Sequence, residues 1–104
     1  MSSPTQRSLK YLRDLGMIAQ VVERWNPFAK IRQDLFGWVD IVAMDVPRGR
    51  VVFVQTTTKH NMKDRIKKVH SLPTFKQAKK CGVVIYVHGW YKTGRLWGIE
   101  EVIL

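Results

Sequence analysis

Gly37-Trp38-Val39-Asp40-Ile41-Val42-Ala43-Met44-Asp45 and Arg50-Val51-Val52-Phe53-Val54-Gln55-Thr56-Thr57-Thr58-Lys59 are two apolar runs joined by Val46-Pro47-Arg48-Gly49. Runs rich in Val, Ile, Phe and Trp around a Pro-Gly turn predict a β-hairpin. With Asp45 and Arg50 as the last partners before the turn, antiparallel pairing sets residue 40 opposite 55 and 38 opposite 57. Opposed residues share a face, their Cβ atoms about 5 Å apart. Asp40 and Gln55 could therefore hold one cation, whereas a slip of one residue would separate them. Val51 to Val54 is apolar on both faces, which predicts a central strand covered by helices on either side.

On the N-terminal side, Ser3-Pro4-Thr5-Gln6 reads as a helix start and Leu9, Leu12 and Leu15 recur at helical spacing up to Gly16, predicting a helix over 4–15. Met17 to Trp25 changes to period two and predicts a strand with Glu23 on the side of Met17, Ala19, Val21 and Trp25. Residues 26–35, with Pro27 and several polar side chains, read as an irregular connection. Beyond the hairpin, Asn61 is a candidate cap for a helix with the stripe Met62, Ile66 and Val69, and Leu72, Phe75 and Ala78 form a second helix after a break at Pro73. Val83 to His88 predicts a buried strand, residues 89–95 a turn region, and 96–104 a last, weaker strand. The expectation is one α/β domain over residues 1–104 in the order α-β-β-β-α-β-β.

The 104 residues carry 18 Lys and Arg against 8 Asp and Glu, a net charge of +10. That balance favours a polyanionic partner, nucleic acid first among them. Lys59, Lys63, Arg65, Lys67, Lys68, Lys76, Lys79 and Lys80 share one stretch with a single acid, Asp64. The stretch reads either as a solvated helical face or, following directly on the candidate site, as a surface for phosphates. The single cysteine, Cys81, excludes a disulfide framework and a zinc cluster of Cys and His, and predicts an intracellular (cytoplasmic) setting. No apolar run is long enough for a membrane helix, and Met1 to Gln6 lacks an apolar signal region, so a soluble, unprocessed chain is expected.

Cleaving a phosphodiester with a hard cation such as Mg²⁺ calls for converging oxygen ligands. Asp40 offers a carboxylate, Gln55 an amide oxygen and Thr56 a backbone carbonyl. A buried aspartate needs a partner, and the competing reading of Asp40 is a structural residue tied to a backbone group or an arginine. Glu23 is the next carboxylate, or else one half of a salt bridge. Asp34 reads first as a loop-fixing acceptor and second as an outer ligand. Lys59, roughly 7 Å beyond Thr57 along the strand, either folds back toward a phosphate or remains a surface lysine. His60, His70 and His88 form no ligand cluster, and neither a nucleophile turn nor a phosphate-binding glycine loop is present. Trp90 and Tyr91 beside Lys92 and Arg95 are core aromatics on one reading and base-stacking residues on another.

With these residues in place, the chain resembles the PD-(D/E)XK nuclease superfamily, and within it small Holliday-junction-resolvase-like and virus-type replication-repair nuclease domains. Gly37-Trp38-Val39-Asp40 is similar to the Gly-x-Pro-Asp segment, and Gln55-Thr56-Thr57 falls where the Glu-x-Lys triplet stands. The resemblance implies a restriction-endonuclease-like mixed sheet of about five strands flanked by helices. It also implies a DNA endonuclease dependent on Mg²⁺ (or Mn²⁺), acting on branched DNA, with a homodimer suited to symmetric cutting. Asp40, Gln55 and Glu23 would hold the metal, Lys59 would stand in for the motif lysine, and Lys63, Arg65, Lys67, Lys68, Lys76, Lys79 and Lys80 would grip the DNA backbone. Gln55 keeps an oxygen but removes a charge, and Thr57 removes the lysine. A catalytically inactive nucleic-acid-binding module on the same fold is the alternative, and a protein-interaction domain a third.

Overall fold

The structure is a computed structural model that describes residues 3–104; Met1 and Ser2, the start of the segment read above for a signal, lie outside it. Helix α1 (Pro4–Asp14) starts where its sequence predicts, with the Ser3 hydroxyl accepting the Gln6 N–H at 3.2 Å and proline in the first turn. Strand β1 (Ile18–Val21) follows, then β2 (Arg24–Asn26), β3 (Ile31–Gln33), β4 (Ile41–Asp45) and β5 (Arg50–Thr58). A 3-10 turn (Lys59–Asn61) leads into α2 (Met62–Ser71) and α3 (Pro73–Lys80), and the chain closes with β6 (Val84–Thr93) and β7 (Leu96–Ile103).

Five strands form one mixed sheet in the order β1-β4-β5-β6-β7, antiparallel throughout except for the β5–β6 pair. The expected mixed sheet of about five strands flanked by helices is thus present. β5 is its centre, because its side chains are apolar in both directions. Val52 and Val54 pack with Ile41, Ala43 and Tyr86 beneath Leu9 and Leu12 of α1, while Phe53 joins Trp38, Val39 and Ile85 beneath Val69 of α2 and Ala78 of α3. The α2–α3 segment is the crossover that parallel pairing of β5 with β6 requires.

Several expectations are corrected. The strand expected over 17–25 breaks after Val21, and its second half pairs with β3 as a separate two-stranded hairpin inside the segment read as irregular. Period two runs through the break, so alternation alone could not reveal it. Phe36 to Trp38 is a turn closed by an isolated bridge and not a continuation of β4: Leu35 and Val39 exchange backbone hydrogen bonds (3.1 and 2.9 Å) around it, with Phe36 and Gly37 both at positive φ. Trp38 accordingly pairs with no residue of β5; its indole N–H donates to Thr74 Oγ1 at 2.8 Å. Asn61 makes no side-chain cap; Thr58 caps the 3-10 turn instead, its Oγ1 accepting the Asn61 N–H at 3.3 Å. β6 runs on to Thr93 through the expected turn region, because β7 pairs with it along its outer half.

Gly89 admits the 3-10 turn against β6. A Cβ there would stand 2.7 Å from Met62 Sδ and 3.1 Å from the Lys59 Cα. That close approach fixes where α2 begins, and so where its side chains reach relative to the end of β5. Among the described residues no helix is long and apolar enough to cross a membrane.

Candidate functional site

The hairpin register is the one expected from Asp45–Arg50 to Ile41–Val54; the regular pairing stops there, and Asp40 and Gln55, just beyond it, meet through their side chains. Asp40 is pinned at both backbone groups, its N–H donating to Val54 O and its C=O accepting from Val22 N, each at 2.9 Å. One carboxylate oxygen, Oδ2, accepts three hydrogen bonds: from Gln55 Nε2 (2.8 Å), Thr56 N (2.7 Å) and Thr56 Oγ1 (3.1 Å).

Two more carboxylates close on the same place. Ligand oxygens of Glu23, Asp34 and Asp40 all lie within 4.8 Å of one another. Glu23 arrives from the break between β1 and β2. Asp34 arrives because the Leu35–Val39 bridge folds the chain back on itself, which makes residues 34 and 40 the next opposed pair. These three residues line a cavity of about 310 Å³ together with Pro4, Thr5, Gln55, Thr56, Thr57, Thr58 and Arg65. Thr5 Oγ1 lies 2.7 Å from Thr56 Oγ1 and 3.5 Å from Glu23 Oε1, which ties the first turn of α1, with its positive end of the helix dipole, to the acidic wall.

The electrostatics of this cavity are unbalanced. Burial pushes the Asp40 carboxyl up to about 7 from an ordinary 3.8; hydrogen bonds from Thr56 oppose the rise, and the charge and hydrogen bond of Asp34 add to it. Gln55, 1% exposed, spends its N–H₂ group on Asp40 and on Thr56 O (3.2 Å). Its Oε1 is buried and meets no hydrogen-bond partner among the described residues. A buried amide oxygen left unpaired costs about 1–3 kcal/mol, and clustered carboxylates repel one another. A cation held by the three carboxylates relieves their repulsion, so that set fits a hard, oxygen-binding metal ion.

The sequence-predicted residues separate here. Asp40, Gln55 and Glu23 come together as expected. Asp34, ranked first as a loop-fixing acceptor, faces the same cavity. Lys59 is not among the lining residues. Its ammonium lies 3.9 Å from Glu100 Oε2 and 4.8 Å from the centre of the Tyr91 ring, and the chain has already left strand conformation there. The cation lining the cavity is Arg65, on α2. Its sequence signal was the basic stretch, but only the placement of α2 distinguishes it from its neighbours. Lys63, Lys67, Lys68, Lys76, Lys79 and Lys80 are exposed on α2 and α3, with Lys79 Nζ donating to Leu104 O at 2.7 Å. Trp90 is buried, its indole N–H donating to Ser8 Oγ at 2.8 Å, so it is a core residue and not a stacking platform.

The fold and site define an α/β protein with an acidic cavity at the C-terminal end of its central strand, lined also by an arginine of the basic helix α2. Compared with protein-family models, with curated proteins and with solved structures, the chain matches none of them.

Proposed function

We propose that this protein is a metal-dependent nuclease, taking Mg²⁺ (or Mn²⁺) and hydrolysing phosphodiester bonds of DNA. The observation that carries the reading is the convergence of Glu23, Asp34 and Asp40 on one cavity that Gln55 and Arg65 also line. Bound there, a hard cation supplies charge neutralisation at a phosphate and favours ionisation of water. The chain's own residues do the rest. Asp40, fixed at its backbone and at Oδ2, presents Oδ1 without freedom to turn, and Thr56 N–H and Oγ1–H hold that orientation. Arg65 offers a planar fork of donors suited to phosphate oxygens. The lysines of α2 and α3 supply the attraction that brings a polyanion to the cavity mouth.

The expected result is cleavage of single-stranded, duplex or branched DNA by the purified protein in Mg²⁺ or Mn²⁺, falling at least about 100-fold in Asp40→Ala. Intact DNA in every case, or an Asp40→Ala variant that cuts like the parent, rejects the proposal. One observation favours a second reading, a binding module without catalysis. Gln55 satisfies Asp40 Oδ2 with an amide where a carboxylate would not, and Thr57 puts no amine into the cavity. That reading predicts DNA binding unchanged by chelator and no cleavage until Gln55→Glu and Thr57→Lys are combined. Symmetric cutting of two strands would suit a homodimer, detectable by sedimentation with a two-fold DNA substrate.

A further inference from the structure

The β2–β3 hairpin belongs to neither face of the sheet. Its ten residues, 24–33, hold Arg24, Lys30 and Arg32 and no acid. Its apolar side chains are exposed: Trp25 to 54%, Ile31 to 50% and Phe28 to 97%. Trp25 stands opposite Arg32 and Ile31 opposite Asn26, so Ile31 faces the other side, while Trp25 and Phe28 line one exposed apolar surface of the kind that marks a contact site. The tip is built to present Phe28. Asn26 Oδ1 accepts the backbone N–H groups of Phe28 (3.0 Å) and Ala29 (3.2 Å), and Lys30 closes the turn at φ 53°. Between strand and tip lies a cavity of about 340 Å³ lined by Arg24, Trp25, Asn26, Pro27, Phe28 and Gln33, within the range of small-ligand clefts, about 300–1,000 Å³.

The root of this arm is the acidic cavity itself. Glu23 immediately precedes β2 and Asp34 immediately follows β3, so two of the clustered carboxylates are the two ends of the hairpin. Arg32, opposite Trp25 in the register, reaches back to Glu23 at 3.6 Å. β1 runs alongside β4 with Val21 opposite Ile41, which in turn stands opposite Val54. The arm therefore leaves the sheet at the end where Asp40 and Gln55 sit.

We propose that the β2–β3 hairpin is a nucleic-acid arm that holds an unpaired base against Trp25 and Phe28, beside the acidic cavity. The inference rests on the reading of that cavity as one that acts on nucleic acid. Aromatic and apolar side chains flanked by cations are the combination that takes a splayed base together with its phosphates. A second copy of this chain fits the arm less well, because a two-fold contact would set Arg24, Lys30 and Arg32 against their own counterparts.

The test is fluorescence anisotropy with one labelled oligonucleotide, single-stranded or annealed to its complement, in EDTA so that cleavage plays no part. Trp25→Ala and Phe28→Ala are each expected to weaken single-strand binding about tenfold, as loss of one stacked base does, and to leave duplex binding within about twofold. A Lys67→Ala, Lys68→Ala variant should weaken both forms, since phosphate contacts are blind to base exposure. Circular dichroism confirms that each variant folds. Equal loss on both DNA forms, no loss on either, or a wild-type dimer that Phe28→Ala dissolves overturns the arm's role. Binding of the expected pattern without cleavage in Mg²⁺ leaves the arm standing and rejects the nuclease. No binding of either DNA by the wild type rejects both.

Discussion

Gln55 Nε2 donates to Asp40 Oδ2 across 2.8 Å, and Gln55 Oε1 is left buried with no partner among the described residues. A glutamine that satisfies one neighbour at the expense of its own carbonyl is set up for a third party. Gln55→Glu removes the donor and adds a fourth negative group, so the metal-free variant should unfold at lower temperature than the parent. Mg²⁺ should reverse the order and bind the variant about tenfold more tightly, as charge count dictates for hard cations. Thermal unfolding with and without Mg²⁺ reads both effects. A variant destabilised equally with and without the ion would remove Gln55 from any metal-holding role.

Asp40 makes metal-free stability depend on pH in an unusual direction. Its folded pKa, about 7, lies above the ordinary 3.8, so the fold binds an extra proton between those values. The stabilisation is complete below about 3.8 and is lost as pH rises through about 7, on the order of a few kcal/mol in all. The Asp45 carboxyl, pushed up by burial but pulled further down by Arg50 and Arg48, has the opposite sign. Its contribution is lost only as pH falls below the ordinary range, so the two windows do not overlap. Unfolding temperature in EDTA should decline from pH 4.5 to 7.5, and Asp40→Asn should flatten the slope. Metal binding must displace that proton, so Mg²⁺ affinity should rise about tenfold per pH unit up to about 7.

Most of the fold was legible because it rests on local signals that agree with one another. The cap at Ser3, the Pro-Gly turn after Asp45 and the two-sided apolar run of β5 each dictate one arrangement, and the turn fixes the register that joins Asp40 to Gln55. The arm was not legible, since β2 and β3 have three residues each and exposed side chains, so no burial pattern marks them. Asp34 escaped for a related reason. Its approach to Asp40 depends on Phe36 adopting φ 57° beside Gly37, a conformation that a bulky residue rarely takes. Strand alternation misplaces Lys59, because the chain turns into the 3-10 segment at that residue. Arg65 needed the crossover geometry, which no spacing within α2 contains.

The placement of Arg65 and Lys59 gives opposite expectations for the two cations. Arg65→Ala should lower the cleavage rate about 100-fold, the usual cost of removing a donor aimed at developing charge, and Arg65→Lys should recover part of it as a point charge without the fork. Lys59→Ala should stay within about threefold of the parent, because its contacts are with Glu100 and Tyr91 at the surface. Cleavage kinetics on one DNA substrate compare all three. The reverse ranking would restore Lys59 to the site.

Ser8, His88 and Glu101 align as hydroxyl, imidazole and carboxylate, with Ser8 Oγ 2.8 Å from His88 Nδ1 and Glu101 Oε2 2.8 Å from His88 Nε2. The spacing imitates a nucleophilic triad, but Ser8 and His88 are fully buried, so no substrate reaches the hydroxyl. Every donor finds an acceptor if Trp90 Nε1–H donates to Ser8 Oγ, Ser8 Oγ–H donates to Nδ1, and Nε2–H donates to Glu101. The chain of bonds fastens α1 to β6 and β7, which makes it structural. Ser8→Ala leaves the Trp90 N–H and His88 Nδ1 unpaired in the core and should cost about 1–3 kcal/mol in urea unfolding. At temperatures where the variant stays folded, DNA binding and cleavage per folded molecule should match the parent. A loss of cleavage in a stably folded Ser8→Ala would instead assign this hydroxyl a part in the chemistry.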